Sequence, residues 1–436
     1  NMLVVLGQFF LCLSILIVLH EAGHFFAARA FNTRVEKFYL FFNPWFSLFK
    51  KKIGDTTYGI GWLPLGGYVK ISGMIDESMD QEQLDKPAES WEFRSKPKWQ
   101  KLIIMLGGVV VNFVLAFIIY VFMFSYWGEK KLDQKPLVVY SEAVTLDNYP
   151  LKSGDEILSI NNKNTQNMCW KDVKMELILW GDKDLVVLRD GAKKNIYFNQ
   201  KDINSIINRS LVIDDIPFVI DSVLEGSAKQ AGLKKGDVLN SVNGEVFYGR
   251  QEFVSFFQKN EGRDVFLGFS REGKNKKVKL SLPAKNSNGS VVIGVSVKLP
   301  KDKRINHSFL SAIPSALNKT KKEIVNYIGQ FGLLFKMEDG AKQLGGFITI
   351  GSLFGPVWDW ERFWGLTAFI SIMLAIVNLL PIPALDGGHV LILLIEMAIG
   401  KDINPKILGY IQVVGMVLLF GLFILANVND VIRLFQ

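Results

Sequence analysis

His20, Glu21 and His24 stand in the order His-Glu-Ala-Gly-His. On a helix that spacing puts two imidazoles at i and i+4, on one face. There they can share one zinc ion, with the glutamate beside the water that the metal holds. The chemistry of such a group is hydrolysis, in which water attacks a polarised carbonyl and the carboxylate carries the proton. A catalytic zinc needs a third protein ligand and one open position. The chain has four histidines, so the third ligand is His307, His389 or a carboxylate. The stretch Asn378-Leu379-Leu380-Pro381-Ile382-Pro383-Ala384-Leu385-Asp386-Gly387-Gly388-His389 offers one. Two prolines break a helix there and two glycines let the chain turn. A lone aspartate in so apolar a segment is costly unless paired or metal-bound. Asp386 is the expected third ligand, and His389 is expected to hold a carboxylate or backbone group around it.

The elements that must carry these residues have membrane composition. The histidine motif ends an apolar run from Met2 to Phe31, and ionisable groups in a spanning helix are functional candidates by default. Further apolar segments run over 102–127, over 364–380 with an extension to about 399, and over 407–426, each near the ~20 residues needed to cross a bilayer. With 436 residues, 49% hydrophobic and only 21% charged, the chain reads as a membrane protein with a soluble part. Its mean hydropathy of +0.21 agrees. The net charge of +8 is spread over scattered lysines, with short runs such as Lys50-Lys51-Lys52, so no nucleic-acid partner is expected. Cys12 and Cys169 lie far apart, are not expected to pair, and make no metal site. The first helix reads as a retained span and not as a signal peptide.

Basic residues set the expected orientation. Arg29, Arg34 and Lys37 follow the first span, Lys96, Lys98 and Lys101 precede the second, and Lys401 and Lys406 lie between the third and fourth. The positive-inside rule then places 34–101 and the loop near 400 in the cytoplasm. Residues 128–361 fall outside, in the periplasm of a double-membraned bacterium, with the chain in the inner membrane. The cytoplasmic loop opens with Phe38-Tyr39-Leu40-Phe41-Phe42-Asn43-Pro44-Trp45-Phe46, too apolar for a free loop and too short to cross. A membrane-associated β-hairpin or re-entrant loop is expected. It continues through Tyr58–Lys70, where Gly59, Gly61, Gly66 and Gly67 allow tight turns or close approach of another backbone. Such backbone is tolerated at membrane depth only where protein buries it or it lines a wet cavity.

The soluble region contains a repeat. Gly226-Ser227-Ala228-Lys229-Gln230-Ala231-Gly232-Leu233-Lys234-Lys235-Gly236-Asp237-Val238-Leu239 predicts a short helix, a Gly-Asp turn and a strand, closed by Asn243-Gly244. Leu151–Asn162 repeats the second half, with Tyr149-Pro150 where Ala231-Gly232 stand in the later copy. The pattern resembles the PDZ domain of bacterial proteases, the first copy degenerate. Such folds bind extended peptides by adding a strand to a sheet edge, so peptide C-termini are expected ligands, with pure spacing or size filtering as the other reading. The expected organisation is 1–127 with two spans and the re-entrant β loop, 137–202 and 214–284 as the PDZ units, 303–361 as an amphipathic helical segment on the periplasmic side, and 362–436 with the last two spans. The fold class is a four-span α-helical membrane protein carrying two α/β PDZ domains.

His-Glu-Ala-Gly-His in the first span, Leu63-Pro64-Leu65-Gly66-Gly67-Tyr68-Val69-Lys70 in the next loop, the PDZ pair and the Asn378–His389 stretch together resemble the site-2 proteases, in the layout of their regulator-of-sigma-E group. The likeness runs through essentially the whole chain. It implies zinc held by His20, His24 and Asp386, with Glu21 as general base and Asn378 holding substrate backbone or polarising the scissile carbonyl. It implies cleavage of transmembrane protein substrates within the lipid bilayer, with anti-sigma-type regulators or leftover signal peptides as the classes. The glycine-rich strand with Gly59, Gly61, Gly66 and Gly67 would offer the β edge for the extended substrate. A Gly-Phe-Gly stretch usual soon after the first span reads Phe41-Phe42-Asn43-Pro44 here. The alternative is a non-catalytic polytopic PDZ scaffold with a vestigial site.

Overall fold

Long apolar runs free of internal proline form the first two helices, α1 (Met2–Ala30) and α2 (Lys98–Tyr126). At about 1.5 Å per residue each is about 43 Å long, more than the ~30 Å of bilayer hydrocarbon. The computed structural model describes residues 2–64, 66–74, 87–132, 150–152, 154–165, 168, 170–179, 181–202, 218–286, 289–298, 302–334 and 344–434. These divide into two units, Asn1–Glu129 with Asn306–Gln436, and Lys130–Ile305. Among the described residues four helices are long and apolar enough to cross a membrane: Met2–Ala30, Lys98–Tyr126, Trp360–Leu379 and Ile407–Arg433.

In the first unit α1 and α2 meet where neither carries a side chain. A Cβ on Gly23 would strike the carbonyl of Gly107, and one on Gly107 the carbonyl of Gly23. Small residues are the usual device for bringing helices together in lipid, where burial of apolar surface gives no advantage. The segment expected over 303–361 supplies α6 (Phe309–Leu334) and the short α7 (Phe347–Ser352). Helix α6 packs its Ala312 and Ala316 into a cluster with Ala116, Ile119 and Tyr120 of α2 and with Ala368, Ile372 and Ile376 of α8 (Trp360–Leu379). Phe9, Cys12 and Leu16 of α1 meet Phe363 and Ile370 of α8 in a second cluster. The third apolar segment is two helices, α8 and α9 (Asp386–Ile399), as the prolines require. Between them the chain folds back so tightly that a Cβ on Gly387 would meet the carbonyls of Leu379 and Leu380. Helix α10 (Pro405–Leu434) is tied to α7 by Asp430, whose carboxylate accepts from the Thr349 backbone at 2.9 Å.

The loop after α1 is more than the hairpin expected. Strands β1 (Val35–Leu40), β2 (Phe42–Ile53), β3 (Thr56–Leu63) and β4 (Tyr68–Ile71) form a mixed sheet in the order β2-β3-β1-β4. The hairpin is present as β2–β3, turning at Gly54-Asp55, but β3 then inserts beside β1 and runs parallel to it, with β4 antiparallel on β1's other side. The insertion is possible because a Cβ on Gly59 would collide with the Tyr39 ring, and one on Gly61 with the Phe42 backbone.

The second unit holds the repeat as two sheets of matching order. Strands β6 (Glu156–Ile160), β7 (Lys163–Asn164), β8 (Lys183–Arg189) and β9 (Ala192–Phe198) are ordered β7-β6-β8-β9. Strands β11 (Val238–Val242), β12 (Glu245–Val246), β13 (Asp264–Arg271) and β14 (Lys274–Ser281) are ordered β12-β11-β13-β14. Helices α3 (Trp170–Ile178) and α5 (Arg250–Lys259) occupy equivalent places, and the short α4 (Ser227–Gln230) precedes β11. Strands β10 (Ile220–Val223) and β15 (Val295–Val297) pair with each other, while β5 (Glu129–Leu132) pairs with β16 (Asp302–Ile305). Val291 and Ile293 share one core with Phe218, Phe253, Leu267 and Leu280. The second repeat therefore runs past the boundary expected at 284. Parts of the expected 137–202 and 214–284 units, namely 137–149, 153, 166–167, 169, 180 and 214–217, lie outside the described residues, Cys169 among them.

Candidate metal centre

The helical spacing of His20 and His24 brings their Nε2 atoms to 3.3 Å of one another. Asp386, placed at the first turn of α9 by the chain reversal after α8, brings Oδ2 to 3.3 Å from each. Among the described residues these three are the one His/Cys/Asp/Glu group with ligand atoms so mutually close. The triangle fits a particular ion. Zinc–nitrogen and zinc–oxygen bonds of about 2.0–2.1 Å in tetrahedral geometry separate neighbouring ligand atoms by about 3.3–3.4 Å.

The protons favour the same reading. His24 Nδ1 lies 2.9 Å from the backbone carbonyl of Ile104, which only accepts. Nδ1 must carry the hydrogen, which leaves the neutral ring's Nε2 as a lone pair aimed at the triangle. Asp386 Oδ2 is buried without a hydrogen-bond partner. The His24 Nε2 lone pair and the Asp386 carboxylate oxygen thus face each other at 3.3 Å, an arrangement that costs free energy unless a cation sits between.

Around the triangle, Asn378 places Nδ2 3.3 Å from His20 Nε2. Glu21 projects from α1 toward β4, within hydrogen-bonding reach of the Val69 backbone amide. A Cβ on Gly67 would approach Ile17, the Tyr39 carbonyl and the Glu21 side chain, so the chain entering β4 lies against the motif helix because residue 67 is glycine. The other glycines of that loop are placed differently. Gly59 and Gly61 make room inside the sheet for Tyr39 and Phe42, and Gly66 faces the Phe42 ring. His389 is drawn to Gln412 on α10, 3.4 Å away, and His307 to Glu129 at 3.1 Å. Neither stands in the triangle.

Sequence reasoning passed over a second tier on α2. The Ile104 carbonyl orients His24, Gly108 leaves room for both rings, and Asn112 Nδ2 lies 3.2 Å from His20 Nδ1. The available signal was Asn112 itself, the only amide in α2 beyond its first turn.

Comparison with known proteins follows the same lines. Residues 8–422 match the family described as Peptidase family M50. The regulator of sigma E protease of Haemophilus influenzae is 27% identical, over 98% of this chain and 99% of that one. The regulator of sigma-E protease of Salmonella typhimurium is 28% identical over 98% of each. A Vibrio cholerae relative, 29% identical over 98% of each chain, carries a name that describes a zinc metalloprotease. Among solved structures, the PDZ domain of an SdrC-like protein from Listeria monocytogenes matches at 22% identity, covering 19% of this chain and 90% of that one, with a TM-score of 0.17.

Proposed function

The chain belongs to peptidase family M50 and is a zinc metalloprotease of the membrane, and from that premise we propose which residues do the work. His20, His24 and Asp386 hold the zinc through Nε2, Nε2 and Oδ2. The observation that carries this is the triangle of ligand atoms with 3.3 Å edges. Zinc supplies Lewis acidity at that point, acidifying water and polarising the scissile carbonyl. Two neutral imidazoles and one carboxylate leave it a net positive charge to act with.

The chain's own residues do the rest. Glu21 accepts the proton of the attacking water and passes it to the leaving amine. With His20 Nε2 taken by the metal, Asn378 Nδ2, now 3.3 Å from it, would be free to donate to the substrate carbonyl. A substrate helix hydrogen-bonds its own amides and must unwind before attack. Among the described residues strand β4 is an edge of its sheet, and the chain entering it lies against Glu21, so its outer side is the place for an unwound substrate segment to add as a strand. Gly67 is the glycine of that loop that lets the edge approach the site, while Gly59 and Gly61 shape the sheet behind it. The relatives named regulator of sigma E protease point to membrane-protein substrates, with anti-sigma-type regulators and leftover signal peptides as the two classes. A scaffold with a vestigial site does not fit a chain with the metal triangle, the base and the asparagine in place.

The test is paired. Glu21→Gln should retain about one zinc per chain and lose cleavage of a short transmembrane peptide, while Asp386→Ala should lose the metal. Zinc retained in Asp386→Ala, or wild-type turnover in Glu21→Gln, would overturn the assignment. We further place the repeats on the periplasmic face of the inner membrane and the metal near the cytoplasmic one, from the basic residues flanking the spans. In a Cys12→Ser, Cys169→Ser background, Ser287→Cys should react with an impermeant thiol reagent from outside and Ser78→Cys should not. The second repeat has an open β15 edge among the described residues, in the core that includes Phe253 and Phe257 of α5, and there a substrate C-terminus would bind.

A further inference from the structure

Both zinc-site histidines are served by one ridge of α2. Residues 104, 108 and 112 are spaced by four and share a face of the helix. The Ile104 carbonyl accepts from His24 Nδ1, and Gly108 lets both imidazoles lie against bare backbone, since a Cβ there would collide with each ring. Asn112 completes the series at His20 Nδ1, 3.2 Å away. Its residue is fully buried, and its Oδ1 has no hydrogen-bond partner. Its backbone carbonyl accepts from Ser371 Oγ on α8 at 2.8 Å, which fixes where residue 112 stands.

A fully buried amide with one end against a histidine and the other unsatisfied needs an explanation. It follows from the zinc reading, on which this inference rests. If His20 binds metal through Nε2, the neutral ring carries its hydrogen on Nδ1, and an N–H needs an acceptor. Asn112 Nδ2 is a donor, so the two would oppose each other. Turning the amide by half a rotation exchanges its oxygen and nitrogen, which are nearly equal in size. Oδ1 then accepts from His20 Nδ1–H in the place where Nδ2 now lies. For His24 the same service comes from a carbonyl that α2 must have in any case; for His20 it takes a particular side chain. We propose that Asn112 is a positioning residue for the metal site: in the zinc-bound protein its Oδ1 accepts the His20 Nδ1 hydrogen, fixing the tautomer and ring orientation that present Nε2 to zinc. Ser371 acts one step further out, by anchoring the turn of α2 that carries the asparagine.

The experiment uses the full chain in detergent and reads zinc affinity by chelator competition, with the absorption of the cobalt-substituted protein as a report on ligand geometry. Asn112→Leu keeps the volume and removes the acceptor; it should weaken zinc binding by about 10–100-fold, the usual effect of losing a partner behind a metal-bound histidine. Asn112→Asp restores an acceptor and should bind zinc near the wild-type level. Histidine-nitrogen spectra of the isotope-labelled protein, with only four histidines to assign, should show the His20 Nδ1–H resonance moved in the leucine variant and not in the aspartate one. Melting of the metal-free variants reports any effect on helix packing separately; if Asn112→Leu does not fold, Asn112→Ala takes its place against Asn112→Asp. Wild-type affinity in the leucine or alanine variant overturns the role of Asn112, as does equal weakening by aspartate. A wild-type protein that binds no zinc would instead overturn the reading of the triangle itself.

Discussion

Both units hold aspartates with buried carboxylate oxygens, and they are treated in opposite ways. Asp155 and Asp237, in the two repeats, are fully buried and fully paired. Arg189 Nε and Nη2 reach Asp155 at 2.6 Å, and Arg271 Nε and Nη2 reach Asp237 at 2.7 Å. The backbone amides of Lys152 and Lys234 donate to the same carboxylates at 2.8 Å. Each arginine also donates to a backbone carbonyl, of Pro150 in one repeat and Gly232 in the other. That explains how the first repeat keeps the arrangement with Tyr149-Pro150 in place of Ala-Gly: the acceptor is main chain, which any residue supplies. Asp386, in the membrane unit, has instead a buried oxygen without a hydrogen-bond partner, 3.3 Å from two imidazole nitrogens. A buried charge that the chain satisfies itself holds a fold together. One that the chain leaves unsatisfied, facing other lone pairs, is kept for a ligand.

The contrast breaks most sharply at the metal. Asp386→Ala should abolish zinc binding and cleavage while the metal-free protein still folds; metal analysis and metal-free melting check both halves. Glu21→Gln is the next largest effect, lowering turnover by about 10²–10⁴-fold with zinc retained, the usual range for a lost general base. Single-turnover cleavage of a transmembrane peptide measures it.

On the other side of the comparison, Arg271→Met should leave Asp237 buried and unpaired. The second repeat should then melt about 5–15 °C lower, while zinc content is untouched; calorimetry of the full chain beside metal analysis gives the answer. A repeat that melts unchanged would mean that the ion pair contributes nothing to the fold. The smallest effect is in pH. Burial acts to raise the Asp237 pKa, but hydrogen bonds from Arg271 and the Lys234 amide outweigh it and hold the carboxyl below its ordinary value. Its contribution is therefore complete above the ordinary aspartate range, about pH 4, and is lost as pH falls toward the lowered value. The acid limb of the second repeat's stability curve should be steeper in wild type than in Arg271→Met.

Much of the membrane core was legible in the residue order because its signals are local. Four apolar runs of spanning length, a helical i,i+4 histidine pair, two prolines that end a helix and the aspartate after them each follow from neighbours within a few positions. The turn and strand pattern of the repeats was legible for the same reason. The sheet after α1 was only half legible. Its hairpin could be expected, but the insertion of β3 beside β1 depends on Tyr39 and Phe42 filling the places left by Gly59 and Gly61. The true end of the second repeat, beyond 284, depends on Val291 and Ile293 joining a core built earlier in the chain.

By itself the sequence singled out the candidate reacting groups: His20, Glu21 and His24 on one helix, Asp386 at a helix break, and zinc as the ion such a set would hold. Only the tertiary structure decided that Asp386 closes the triangle while His389 turns to Gln412, that β4 lies against Glu21, and that Asn112 stands behind His20. Helical periodicity fixes which residues of one segment share a face, and it can be read from one window of sequence. Which faces then meet is set in lipid by close packing at Gly23, Gly107 and Gly108 and by a few interhelical hydrogen bonds. In so apolar a background a glycine or an asparagine shows little sign of its partner until the helices are packed.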